Sequence, residues 1–335
     1  MHATFKYNLK LYPSPADERD HIIKSNVPLK AKGLADISSY CTSVKDQGIL
    51  GSCTAFASVA ALEFLHRRFG GNKLDDMFSE KFTYYATRVN VLNWIPEDSG
   101  AYVRDAIKSL VKYGTCSEKN CVYDGDCHSA PNQTAYSEAL KYQAISYAKF
   151  EDGSSPADRA QLINALKNNL DAGMPIVGGF ICYSNIWNAV NGVIPPRNGQ
   201  IIGGHAILIV GYNDSKQQFK FKNSWGGGWG EHGYGYLSYD HYYQGDMFDL
   251  WSIHKSELED IKSVGLEIIN PALRKNSDRT DVDDILKEIS SKLDIILDRK
   301  KCMQAMNDIM LKYKAKPKLA ALINTFKSGL YGAAS

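Results

Sequence analysis

No apolar run in the 335-residue sequence is long enough to cross a bilayer. The opening stretch, Met1 to Asp20, also lacks the continuous hydrophobic segment of a secretory leader. Neither a membrane protein nor export by a cleaved signal is expected. The expectation is a soluble chain, cytoplasmic or released by a non-standard route. An excess of charge is missing as well: 39 basic against 37 acidic residues leave a formal +2, which implies no nucleic-acid or anionic-membrane partner. The short paired-cysteine hook of a structural zinc site is absent. Cys116, Cys121 and Cys127 share one polar, glycine-containing loop with His128, but at wider spacing. No metal and no cofactor is expected, and the loop holds either a disulfide or free thiols. With seven cysteines in all, at least one stays unpaired.

What is present reads as an ordinary folded chain. The hydrophobic fraction is 44% and the charged fraction 23%, and the length suffices for a sizeable core. Residues 1–35 are polar and broken by Pro13, Pro15 and Pro28, so they form an arm rather than a core of their own. From Gln47 the texture changes. Gly48 and Gly51 mark a turn, Ser52 is a candidate cap, and Cys53 to Arg68 carries Phe56, Val59, Leu62 and Phe64 at helical spacing. Further helices are predicted over Tyr102 to Tyr113, stopped by Gly114, and over Ala157 to Leu170, before Gly173. Strands are predicted at Ile176 to Ile181, Ala206 to Tyr212, Gln218 to Asn223 and Gly233 to Ser238. Helices first and strands afterwards indicate an α+β protein. After Ile253, glycine and aromatic residues thin out. Val282, Ile285, Leu286 and Ile289, then Met303, Met306, Ile309 and Met310, fall at helical spacing. Residues 256–335 are therefore expected to form a helical extension, with self-association or partner binding as its role.

A thiol is a useful nucleophile only as thiolate, and a helix N-terminus or a neighbouring imidazole lowers its pKa. Cys53 sits where a turn feeds a helix. His205, in Gly203-Gly204-His205-Ala206, enters an apolar strand, which is a rigid mount for a base. Asn223 ends another strand and is placed to accept the ring N–H of His205, with Trp225 and Trp229 positioned to shield that bond. Each residue alone also fits a structural cysteine, a core histidine or a turn asparagine.

Together, Gln47, Gly51-Ser52-Cys53, Gly204-His205-Ala206 and Asn223-Ser224-Trp225-Gly226 resemble the active-site blocks of the papain-like, or cathepsin-like, cysteine peptidases, in the same order. The resemblance spans about Asp36 to Ile253. It implies a two-lobe papain-like fold over residues 36–255, one lobe helical and one β-rich, and peptide or protein substrates. It implies that Cys53 attacks the scissile carbonyl, His205 shuttles the proton, Asn223 orients His205, and Gln47 with the Cys53 N–H forms the oxyanion hole, through a thioester acyl-enzyme. Ser99, Gly100, Gly204 and Trp225 would meet substrate, and Ala101, Tyr102, Gly179, Phe180 and Met247 would line the main specificity pocket. Leu50 stands where lysosomal relatives carry a disulfide cysteine, and Thr54 replaces the aromatic residue that usually follows the nucleophile. Both departures resemble the microbial and viral branch and suit folding in a reducing compartment. The arm is expected across or beside the cleft as a short pro-segment, or else as a free tail. An acyl-transferring enzyme on the same triad and a catalytically silent peptide-binding protein are the rival functions.

Overall fold

The computed structural model describes residues 7–23, 33–69, 77–144 and 146–254. The chain divides into two units, Met1–Lys255 and Ser256–Ser335. The helical extension expected over residues 256–335, with its Met-rich stripe, lies outside the described residues.

Helix α1 (Cys53–Phe69) is the axis of the first unit. Its first fourteen residues, Cys53 to His66, are all buried, which accounts for apolar or small side chains around most of its circumference, with Glu63 and His66 as exceptions. Basic His66, Arg67 and Arg68 fill its last turn, where the helix dipole favours positive charge. Two short segments follow: α2 (Glu80–Tyr85), capped by the Ser79 side chain, and a π-type turn over Ala86–Val91. Then come α3 (Val103–Lys112) and α4 (Gln133–Ala139). Gly114 ends α3 at φ +72°, and a Cβ there would lie 1.9 Å from the Ala139 carbonyl oxygen, so only glycine fits. Helix α5 (Pro156–Asp171) opens on a capping box, Ser155 with Asp158, and on Pro156 in its first turn.

Among the described residues eight strands form one mixed sheet: β1 (Ile22–Ile23), β2 (Leu34–Asp36), β3 (Ser146–Phe150), β4 (Ile176–Tyr183), β5 (Ile201–Asn213), β6 (Gln218–Lys222), β7 (Tyr234–Ser238) and β8 (Met247–His254). A short helix, α6 (Tyr239–Tyr243), joins β7 to β8. The sheet order is β1-β3-β8-β4-β5-β6-β7, and β2 pairs with Gly211–Asn213 of β5. The expected α+β class holds. The arm is not separate from the rest of the first unit, because its β1 and β2 are strands of the same sheet.

Strand β5 explains why the apolar run around Ala206–Tyr212 shows no polar alternation. Ala206, Leu208 and Val210 belong to the core that contains α1 and α3. Ile207, Ile209 and Tyr212 belong to a second core with Ile163, Leu166 and Leu170 of α5. Both faces of the strand are covered, so the pleat sends side chains into apolar surroundings on either side. Among the described residues no helix is long and apolar enough to cross a membrane.

A buried charge cluster ties α1 to the ends of the site-bearing segments. Lys45 Nζ lies 3.0 Å from Glu63 and 2.6 Å from Glu80, and it donates to the Phe78 carbonyl at 2.8 Å. Glu63 also accepts from the Phe78 N–H at 2.8 Å and from the Thr42 hydroxyl, to which Lys222 donates at 3.0 Å. Burial works against the Lys45 charge, but Glu80 and Glu63 overcome it and hold the ammonium above its usual range. Glu63→Gln leaves buried Lys45 and Lys222 sharing Glu80 where they had two carboxylates, so it is expected to lower unfolding free energy by about 3–5 kcal/mol, read from the denaturant midpoint.

Candidate active site

The turn ahead of α1 is held from outside the helix. The Gly51 N–H donates to Asp98 Oδ1 at 2.9 Å, and the Gly48 N–H donates to Asp46 Oδ1 at 2.9 Å. Tyr123 donates its hydroxyl proton to the Gln47 carbonyl at 2.7 Å, so the 2.7 Å contact between Tyr123 and Ser52 has Ser52 Oγ as donor. The Ser52 hydroxyl expected as a helix cap is thus turned to Tyr123. Cys53 follows as the first helical residue, with no exposed surface. Burial pushes its thiol up to about 11, against the backbone N–H groups of Ala206, Thr54 and Cys53 itself. The sulfur therefore lies beside the peptide that follows His205.

His205, on β5, is fully buried. Its Nε2 lies 2.7 Å from Asn223 Oδ1, which also accepts the Ser224 N–H at 2.8 Å. An amide oxygen only accepts, so Nε2 carries the proton in the neutral ring. Nδ1 has no hydrogen-bond partner among the described residues. Burial drives the His205 imidazolium down to about 4, with the Asn223 bond opposing. Trp225 stacks on the ring at 4.5 Å and 26°, Phe180 meets it edge-on at 5.8 Å, and Trp229 stands edge-on to Trp225 at 5.1 Å.

Gln47 joins the same network. Its N–H donates to the Ser224 carbonyl at 2.8 Å, its Oε1 accepts from Ser224 Oγ at 2.6 Å, and its Nε2 donates to the Leu50 carbonyl at 2.8 Å. One N–H of the Gln47 amide is thereby used and the second is spare. The fold thus links Gln47, Asn223 and His205 through Ser224 and sets Cys53, at the start of α1, beside the Ala206 N–H.

The arm crosses this site. Lys10 bridges Gly204, Leu11 bridges Ala101, and the Leu11 N–H donates to the Gly204 carbonyl at 3.2 Å. A Cβ at Gly100 would lie 2.1 Å from the Lys10 carbonyl oxygen, one at Gly203 2.2 Å from that of Leu9, and one at Gly204 2.5 Å from that of Leu11. Glycine at these positions is what lets the arm lie so close. Tyr7 stacks on Trp225 at 5.0 Å and donates its hydroxyl to the Trp225 carbonyl at 3.0 Å. Asp98 anchors the arm through Asn8 at 2.9 Å and Lys10 at 3.3 Å. Further along, Ser14 Oγ donates to Asp249 at 2.6 Å and Arg104 donates to the Pro15 carbonyl at 2.7 Å.

Of the residues expected at substrate, Gly100, Gly204 and Trp225 all face the arm. The Gly100 N–H is already spent on the Tyr84 hydroxyl at 3.0 Å. The Ser99 hydroxyl reaches only the Glu97 and Gly100 carbonyls, at 3.5 and 3.4 Å. Of the expected pocket residues, Ala101 and Gly179 meet Leu11, and a Cβ on Gly179 would lie 2.4 Å from Leu11 Cδ2. Phe180 and Met247 instead belong to the second core, because successive residues of β4 face opposite ways. Asp98, Tyr123, Ser224 and Tyr7 were not singled out from the sequence. Ser224 lies inside the Asn223-Ser224-Trp225-Gly226 block and Asp98 just before Ser99-Gly100, whereas Tyr123 and Tyr7 carry no local signal. All six described cysteines are buried free thiols, and no group of three metal-ligating side chains occurs among the described residues.

A family model described as papain family cysteine protease matches residues 34–246. An uncharacterized peptidase C1-like protein of Acanthamoeba polyphaga mimivirus is 33% identical over 296 residues, which cover 80% of this chain and 94% of the viral one. Cathepsin K of Gallus gallus is 33% identical over 203 residues, 58% of this chain and 54% of its own length. Among solved structures, xylellain, a cysteine protease from Xylella fastidiosa, is similar at a TM-score of 0.65 and 30% identity, over 77% of this chain and 100% of that one.

Proposed function

The chain belongs to the papain family of cysteine proteases, and from that premise we propose that it is an endopeptidase held dormant by its own N-terminal arm. The observation that carries the catalytic assignment is the state of His205: Nε2 tied to Asn223 at 2.7 Å, Nδ1 without a partner, and the Cys53 sulfur beside the neighbouring Ala206 N–H. In this reading His205 Nδ1 takes the Cys53 proton. The thiolate attacks the scissile carbonyl carbon, and the spare Gln47 N–H with the Cys53 N–H holds the oxyanion. The imidazolium then protonates the leaving amine, and a water deprotonated by His205 hydrolyses the thioester. Asn223 keeps the proton on Nε2, so that Nδ1 faces the chemistry.

The arm explains the dormant state. With Leu9, Lys10 and Leu11 seated, water is kept from Cys53 and His205, and burial favours thiol and neutral imidazole over the charged pair. Leu11, against Gly179 and Ala101, occupies the room a substrate side chain would need.

Product analysis tests the reaction type. A peptide incubated with the chain lacking residues 1–12, with and without an excess of a small amine, is expected to give the free acid as main product in both cases. A dominant amide product would assign acyl transfer instead, and absence of any cleavage would leave only a binding protein.

A further inference from the structure

Outside the catalytic site, one pair of sulfurs is built to meet. The loop after α3 turns back through a 3-10 segment, Glu118–Asn120, closed by the Asn120 N–H to Ser117 at 3.0 Å and the Cys121 N–H to Glu118 at 3.3 Å. That turn returns Cys121 to Cys116, near enough that each thiol shifts the ionisation of the other. Both pack in one small cluster with Phe82, Ala135 and Ala139, while Cys127 belongs to a different cluster. The pair is clamped to α2: the Ser79 N–H donates to the Cys116 carbonyl at 2.9 Å, and the Ser79 hydroxyl donates to that of Cys121. Cys116 is fully covered, whereas Cys121 keeps 8% of its surface. With Cys116 beside it and the Lys81 charge near, the Cys121 thiol is held below its usual range.

Two residues beyond Cys121 stands Tyr123, whose hydroxyl links the Gln47 carbonyl to Ser52 and whose ring meets Phe56 edge-on at 4.9 Å. The loop therefore supports the turn that presents Cys53.

We propose that Cys116 and Cys121 form a reversible, peroxide-sensitive dithiol that closes to an intrachain disulfide and staples the loop carrying Tyr123 beneath Gln47 and Ser52. The Cys121 thiolate attacks one peroxide oxygen; the O–O bond breaks, hydroxide leaves, and Cys121 becomes a sulfenic acid. The Cys116 sulfur then attacks the Cys121 sulfur; the S–O bond breaks, and water leaves with the Cys116 proton. In sum, two thiols and one peroxide give one disulfide and two waters, and a small thiol reductant reopens the pair.

The test uses the full chain carrying Cys53→Ala, so that the nucleophile neither consumes peroxide nor digests the protein. After hydrogen peroxide, alkylation of remaining thiols and trypsin, cleavage at Lys119 leaves the Cys116 and Cys121 peptides joined only by a disulfide. The linked pair is expected in the parent and in Cys127→Ser, lost in Cys121→Ser, and separated by reductant. Oxidation should also raise the thermal midpoint of the parent but not of Cys121→Ser. A link from Cys116 to Cys127, or a Cys116 that stays fully alkylatable while Cys121 is oxidised, would overturn the proposal. None of these readouts uses peptidase activity, so the result is independent of the catalytic assignment.

Discussion

Cys53→Ala, made in the chain lacking residues 1–12, is expected to lower kcat for peptide hydrolysis by about 10⁴-fold or more, at unchanged thermal midpoint. The size follows from the role: without the thiolate there is no acyl-enzyme, and only binding and the oxyanion donors remain. The fold is expected to tolerate the change, because the side chain removed is a single sulfur from a helix whose other buried positions are intact. Cys53→Ser is expected to be nearly as inactive, since neutral His205 is too weak a base to ionise a hydroxyl as it does a thiol.

Deleting residues 1–12 is expected to raise the rate of peptide cleavage by about 10–100-fold. A tethered segment acts at an effective concentration of about 1 mM, so an arm of about 10–100 μM intrinsic affinity keeps roughly 90–99% of sites closed. Arg104 with Pro15 and Ser14 with Asp249 remain in the shortened chain, so the sheet keeps most of its edge contacts. Closure by the arm also depends on pH. Burial holds His205 at about 4 under the arm, below its ordinary 6.5, so the closed form binds fewer protons than an open, hydrated site between those values. Closure is therefore fully favoured above about pH 6.5 and is lost as pH falls toward 4, so the full chain should be activated by acid over that window. Burial likewise raises Cys53 from 9.0 to about 11 in the closed form, so closure weakens again above 9. Alkylation of Cys53 by iodoacetamide at neutral pH should be slow in the full chain and fast after deletion. Equal rates in the two chains would mean that the arm does not cover the thiol.

Much of the enzyme unit was legible because its signals are local. Helices α1, α3 and α5 announce themselves by apolar spacing and by Gly114 and Gly173 at their ends, both at positive φ. The α+β class followed from helical signals preceding strand signals, and the papain family from four short blocks that sit at element ends, where backbone geometry restricts the residue type. What stayed hidden depends on contacts between distant segments. The arm has no apolar periodicity, and its seat is made by Gly100, Gly179, Gly203 and Gly204, of which Gly100, Gly179 and Gly204 read in sequence as positions for substrate rather than for the chain's own arm. Strand β8 was missed because Asp249 interrupts it at φ +56° and the pairing with β4 shifts register there. Phe180 and Gly179 were both expected at the specificity pocket, and strand alternation separates them: Phe180 turns toward His205 and Gly179 meets Leu11 of the arm. Tyr123 reaches Gln47 across 76 positions, a contact no local pattern encodes.

Covalent labelling with an epoxide inhibitor of papain-like enzymes tests the central assignment most directly. The chain lacking residues 1–12 is expected to gain one inhibitor mass, mapped to the peptide containing Cys53, with the full chain labelled far more slowly and Cys53→Ala not at all. Labelling that persists in Cys53→Ala, or that maps to another of the cysteines, would contradict the account.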